Sequence, residues 1–336
     1  MSELTPIGNV ITPRQARVLA GKPALTPIQA RLIRSAAESE DAETLYQHTV
    51  LCQTCLPYRD PGDDVRVWDR KNGNSIHLRV TAGELMDRKD CLVEQGLPFG
   101  SKSRVILMHL NQRAIVTQNP EIEVGESFTG FVCKVLGMDP AGRNLRVVKD
   151  QLNRLSAARI TLGLANDEQA ITDSIKIVRR MQLWGFAKDE RQRVLWPDKL
   201  QLSLDYFADL VKHAVPLNEV HIRALSHSSL ALDIYAWLAQ RLHRISDGKP
   251  VRVSWSSLWW QFGQGYDPEH IRKFRQKFRV ALKAVLTQYK GAKIVDTMPR
   301  FPARPVIEGG KLVRREPLAE DLVLYNSPPP VPKRFF

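Results

Sequence analysis

Residues Asp267 to Lys290 read DPEHIRKFRQKFRVALKAVLTQYK. Ile271, Phe274, Phe278, Leu282 and Val285 recur at three and four residues, the period that lines one face of an α-helix. Arg272, Arg275, Arg279 and Lys283 keep the same period about a quarter turn away. One helix thus carries a stripe that must be buried beside a stripe suited to phosphates and guanine edges. Just upstream, Ser256 to Phe262 (SSLWWQF) reads as a short helix and Gly263-Gln264-Gly265 as a turn. Short helix, Gly turn and long basic helix make a helix-turn-helix. Taken alone, the segment also fits a basic surface helix with no special use.

The rest of the chain favours the first reading. Its 336 residues carry a net charge of +13, an excess that suits a polyanionic partner, nucleic acid before an anionic membrane surface. No hydrophobic run approaches the roughly 18 residues of a membrane span. The N-terminal MSELTPIGNVITPRQARVLAG lacks the apolar core of a signal peptide. Four unevenly spaced cysteines make no disulfide framework in a chain of this size, so a reducing cytoplasm is expected.

Working outward, Thr26-Pro27 reads as a helix start before IQARLIRSAAE. Val65–Asp69 and Ser75–Val80 read as a hairpin turned at Asn72-Gly73. A helix is expected over about 103–115, with Ser101 as its N-cap, then a strand at 121–124 and a short helix at 127–136. A longer helix over 142–157 follows, and then strands at 159–164, 174–184 and 199–204. The same order returns further on. Ser229–Ile245 matches 103–115, Val251–Ser254 matches 122–125, and 256–262 matches 127–136. The basic helix 268–288 matches 142–157, with Val148, Leu152 and Leu155 falling opposite Phe278, Leu282 and Val285. Strand material at 292–296 and at 307–314, around Gly309-Gly310, completes the second copy.

A helix-turn-helix followed by a strand pair is a winged helix, and two in one chain would span consecutive turns of a duplex. The expected fold is therefore α+β, with tandem winged-helix domains in pseudo-repeat. Residues 1–55 are assigned to an N-terminal helical extension, 56–187 to the first winged helix and 188–315 to the second. Residues 316–336 form a Pro-rich tail, with SPPPVPKRFF from Ser327 extended or disordered.

Several stretches carry a resemblance: LPYRDPG (56–62), GLPFGSKSRVILMHLNQRAI (96–115), the GRN start at 142–144 and the QLNRLSAARI after it. VPLNEVHIRAL (215–225), SSLALDIYAWLAQRLHRI (228–245), SWSSLWWQFGQGY (254–266) and RKFRQKFRVAL (272–282) carry it through the second half. On these residues the chain resembles the bacterial plasmid replication initiators of the RepA type, the plasmid-encoded RepA family. The resemblance implies binding to repeated sites in the double-stranded DNA of a plasmid origin, duplex opening, and recruitment of a host replication initiator and the replicative helicase. It also implies autorepression, copy-number control and a monomer–dimer equilibrium, with dimers held through the first winged helix. Exposed apolar candidates for that surface are Val67 and Ile76 of the hairpin, and Phe128 and Phe131. A winged-helix transcriptional regulator with no replication role is the alternative, since the DNA-facing chemistry is the same.

The candidate DNA contacts in the second basic helix are Arg272, Lys273, Arg275, Gln276, Lys277, Arg279 and Lys283. Arginine suits guanine because its planar fork meets both acceptors, and Gln276 suits adenine. Lys273, Lys277 and Lys283 suit phosphate. In the first basic helix the candidates are Arg143, Arg146, Lys149 and Asn153, with Asp150 among them as a repulsive element. A mainly structural or dimerising role for this first unit stays open.

Other chemistries find little support. His48, Cys52 and Cys55 make half a zinc site without a second paired motif. GLPFGSKS departs from a phosphate-binding loop at two places. A nicking enzyme needs a Tyr nucleophile with a His-x-His pair, and none of the eight histidines forms one. Tyr235 is expected in the core, and Trp255, Trp259 and Trp260 beneath the recognition helix. No enzyme, cofactor or metal is expected.

Overall fold

The computed structural model describes residues 26–35, 42–72, 76–86, 91–123, 128–136, 138–165, 170–184, 196–263, 271–296, 304–308, 311–316 and 321–331. The first half runs α1 (Pro27–Ser35), β1 (Thr44–His48), α2 (Thr49–Gln53), β2 (Val67–Asn72), β3 (Ile76–Thr81), β4 (Glu84–Met86) and β5 (Leu92–Glu94). It continues with α3 (Gly100–Thr117), β6 (Glu121–Glu123), α4 (Phe128–Gly130), a π-helical stretch at Phe131–Val135, and α5 (Gly142–Ala157). Strands β7 (Arg159–Ala165), β8 (Ala170–Lys176), β9 (Val178–Trp184) and β10 (Trp196–Leu202) close it. The second half runs α6 (Leu204–His213), β11 (Ala214–Asn218), α7 (Glu219–Leu225), α8 (Ser229–Arg241), β12 (Val251–Ser254), α9 (Trp255–Phe262) and α10 (Ile271–Gln288). It ends with β13 (Ile294–Asp296), β14 (Arg304–Glu308), β15 (Lys311–Glu316) and β16 (Asp321–Leu324). This is a mixed α+β chain of helices and small sheets.

Two of the sheets share one strand order. β6, β10 and β9 form the first, and β12, β16 and β13 the second. In each, the strand that precedes the helix pair lies beside the last strand of its half. β14 and β15 pair as a separate hairpin between β13 and β16 in sequence. The first half has an addition, a four-stranded sheet in the order β2-β3-β7-β8. Its buried face is set by alternation, with Leu78 and Val80 inward and Arg79 outward.

The halves are interlocked. β1 pairs antiparallel with β11, Tyr46 facing Pro216. Helix α1 packs against α7 and α10 of the second half, while α6 packs against α3 and β1 of the first. The N-terminal extension is thus not wholly helical: Leu45 of β1 and Val50 to Cys52 of α2 are buried in the common core. The sequence reading missed this because a five-residue strand has too few alternations to declare itself.

At the centre α3 packs on α8, whose residues Ala231 to Gln240 are all buried. A helix shielded on every side sits inside the molecule, and polar groups there need partners. Arg104 of α3 donates to both carboxylate oxygens of Asp233 on α8, at 2.6 and 2.8 Å. It also donates to the carbonyls of Leu56, Pro57 and Gly100. Removing one partner from such a buried pair costs roughly 3–5 kcal/mol.

Three further expectations need correction. Ser101 is not a cap: α3 begins at Gly100 after Phe99, which makes no side-chain cap bond. Ile177 interrupts the expected strand 174–184, separating β8 from β9. The tail from 316 is not simply disordered. β16 is the middle strand of its sheet, and Leu322 and Leu324 are fully buried. Beyond it, Ser327 is buried, and the Tyr289 hydroxyl donates to the Pro328 carbonyl at 2.6 Å. Proline content signalled missing donors, but an extended segment still packs where its carbonyls and side chains find partners. The Asn72-Gly73 turn lies partly outside the described residues, as does Phe128's side chain. Phe131, expected on an exposed surface, is buried, whereas Val67 is 45% exposed.

Candidate nucleic-acid interface

Ser254 starts the site. Its hydroxyl accepts from the backbone N–H of Ser257 at 3.1 Å and caps α9. Trp255, Leu258 and Phe262 form the buried side of this short helix. Gly263 ends it, and a Cβ there would run into the Trp259 ring and meet the Trp259 carbonyl at 2.6 Å. Only glycine lets the chain turn against that ring. Residues 264–270 of the turn lie outside the described residues.

In α10, Phe274, Phe278, Ala281, Leu282 and Val285 are buried, and Ile271 packs against the core at the edge. Phe278 meets Trp255 edge to face at 5.6 Å and Phe262 at 5.7 Å. This aromatic cluster fixes α10 on α9. The opposite face presents Arg272, Lys273, Gln276, Lys277, Val280 and Lys283 to solvent. With four cations and no acid, that face attracts phosphate and offers Arg272 and Gln276 for base edges.

Arg275 and Arg279 stand apart from this group. Both are half-buried at the margin of the helix, with their guanidinium groups 5.7 and 4.8 Å from the centre of the Trp255 ring. Arg279 also grips Asp296 of β13 with two bonds, 2.7 and 3.2 Å long. A guanine contact by Arg279 would break a bidentate pair that the fold already makes. The seven candidates on this helix therefore divide into five outward groups and two that tie the helix to its own sheet and aromatic core.

The first basic helix, α5, buries Val148, Leu152 and Leu155. Arg143 and Arg146 are exposed, while Lys149 and Asn153 are half-buried on the polar side. Asp150 is held within its own helix by Arg154, whose Nε lies 3.0 Å away. Arg154 also reaches Asp60, the Leu97 carbonyl and the Phe99 ring. Arg154 thus serves as a fold contact, and α5 keeps three outward cations.

The remaining sequence candidates have structural places. His48 caps α2 and bonds Asp209 at 2.5 Å through Nε2. Cys52 is buried, and burial pushes its thiol far above the usual range. Cys55 accepts from Arg70 at 2.9 Å. Among the described residues no cluster of His, Cys, Asp and Glu is arranged to hold a metal. Lys102 lies against the Met138 sulfur at 3.0 Å. Tyr235 is in the core, bonded to the Asn218 N–H and to His221. Trp255 lies beneath α10 as expected, but Trp260 is 67% exposed. The signal was present: Trp255, Leu258 and Phe262 keep a helical period and Trp260 falls outside it. No helix among the described residues is long and apolar enough to cross a membrane.

Comparison with known proteins gives three findings. No curated protein matches the chain. Two crystal structures of domains 2 and 3 of RctB are similar at 10% identity, with TM-scores of 0.48 and 0.47. They cover 83% and 82% of this chain and are each covered over 96% of their own length. Residues 97–261, from the residue range before α3 into α9, match the family described as plasmid encoded RepA protein. Over that segment, just under half of its length, the chain is similar to the plasmid encoded RepA protein family.

Proposed function

We propose that the protein is a plasmid replication initiator that binds repeated duplex sites in its origin through the outward face of α10. The observation that carries this reading is the set Arg272, Lys273, Gln276, Lys277 and Lys283, exposed on a helix whose other side is locked by aromatic packing. Each half reads as a winged helix. Its helix pair packs beside a three-stranded sheet, and the β14–β15 hairpin of the second half is the wing. The first half, with fewer free cations, is assigned to backbone contact and self-association, with Val67 on its outer surface. Opening of the duplex, recruitment of a host initiator and helicase, autorepression and a monomer–dimer equilibrium belong to the same proposal. The protein does this by binding, without a catalytic step of its own.

Footprinting on the parent plasmid tests the reading. Protection of several repeats beside an AT-rich segment is the expected result, lost on Lys273→Ala/Lys277→Ala with the fold intact by circular dichroism. Protection of a single promoter palindrome instead would make the protein a transcriptional regulator.

A further inference from the structure

A cleft of about 710 Å³ lies between β2 of the first half and α8, β12 and α9 of the second. Its walls hold donors with no acceptor. The Nε of Arg70 and of Arg241 and the indole Nε1 of Trp237 and of Trp259 are shielded from solvent and make no hydrogen bond among the described residues. Arginine and tryptophan side chains only donate, so no rotation among these four satisfies them mutually. Arg70 is 3% exposed and already positioned, with its Nη2 on Cys55 and its guanidinium 5.0 Å from the Trp68 ring centre. Among the described residues Arg241 has no ion pair; burial acts on it, pulling its pKa below the usual arginine value.

Arg241 is half-buried with its Nε shielded and without a bond, and a cation held so lowers the stability of a fold that keeps it there. Lys71 and Arg252 add positive charge to the lining. The carboxylate of the lining, Asp69, is occupied by two bonds from Arg79, and Asp321 lies 3.8 Å from Arg252. The chemistry calls for an acceptor-rich anion. Trp260 adds a second requirement. It is 67% exposed on the cleft lining and set edge to face against Trp259 at 5.1 Å. A wide exposed indole is a stacking platform for a flat ring. The volume falls within the roughly 300–1,000 Å³ usual for small-ligand sites.

We infer that this cleft binds a nucleotide, its phosphate held by Arg70 and Arg241 and its base stacked on Trp260. The nucleotide is either free or part of a single strand, since both present the same phosphate and base. The site is separate from the outward face of α10 and draws on both halves of the molecule.

The test uses the full chain and follows tryptophan fluorescence during titration with adenosine triphosphate, an oligothymidylate single strand, inorganic pyrophosphate and an oligoglutamate peptide. Saturable quenching by the nucleotide or the strand is expected. Arg241→Gln should weaken it by about tenfold or more, while Trp260→Ala should remove most of the quench. Because Arg241 has no ion pair among the described residues, Arg241→Gln should leave the melting temperature unchanged or raised, which separates lost binding from lost folding. Response to both nucleotide and strand assigns a free nucleotide as sufficient, and response to the strand alone assigns a strand. Three results would overturn the inference: no saturable binding, equal binding by oligoglutamate, or binding abolished by Lys273→Ala/Lys277→Ala but untouched by Arg241→Gln. Duplex protection should persist in Arg241→Gln, so failure here and failure of origin binding are told apart.

Discussion

Helices α5 and α10 occupy corresponding places in the two halves, yet they spend their charges differently. α10 carries six cations and no acid, and four of the six face solvent. α5 carries four cations and Asp150, and one of the four, Arg154, is tied to Asp150, Asp60 and Phe99. The architecture is repeated, but the electrostatic surface is not. A duplicated scaffold can keep its apolar register, which packing demands, while its polar face drifts toward a different task.

The comparison can be broken first at the buried stripes. Phe278→Ala should destabilise the second half by about 3–5 kcal/mol and Leu152→Ala the first by about 2–5 kcal/mol, through the cavities left behind. Urea melts followed by circular dichroism check both. If only one variant lost stability, the two helices would not be equivalent supports.

Acid should expose a second parallel. His109 in α3 and His221 in α7 are buried, and burial, helped by Arg223 and Arg113 in one case and Lys290 in the other, lowers each pKa to about 4. Between about pH 6.5 and 4 the unfolded chain takes up protons that the folded chain refuses. Stability present above pH 6.5 is therefore lost as pH falls, on the order of 3 kcal/mol for each histidine. His109→Gln should flatten the dependence of melting on pH; an unchanged slope would remove His109 from the account.

Arg279 sharpens the contrast on α10 itself. Arg279→Ala should cost about 1.5–3 kcal/mol of stability by leaving Asp296 without its bidentate partner. A stable variant with lost origin binding would move Arg279 back among the DNA contacts. The smallest effect is expected on α5. Lys273→Ala should reduce the log–log salt slope of duplex binding by about 1, and Lys149→Ala by less. Equal losses would give both helices the same role.

Much of this was legible in the chain. The stripe Ile271, Phe274, Phe278, Leu282 and Val285 and the two helix pairs follow from periodicity, because burying one face of a helix constrains residues close in sequence. The outward position of Arg272, Lys273, Gln276, Lys277 and Lys283 follows from the same stripe. Only the tertiary structure decided that Arg279 meets Asp296, that Arg104 meets Asp233, that β1 joins β11 and that β16 completes a sheet from within the expected tail. It also gathered Arg70, Arg241 and Trp260 from separate elements around one cleft. These contacts join residues distant along the chain, and local period and propensity carry no record of which partner a polar side chain will find.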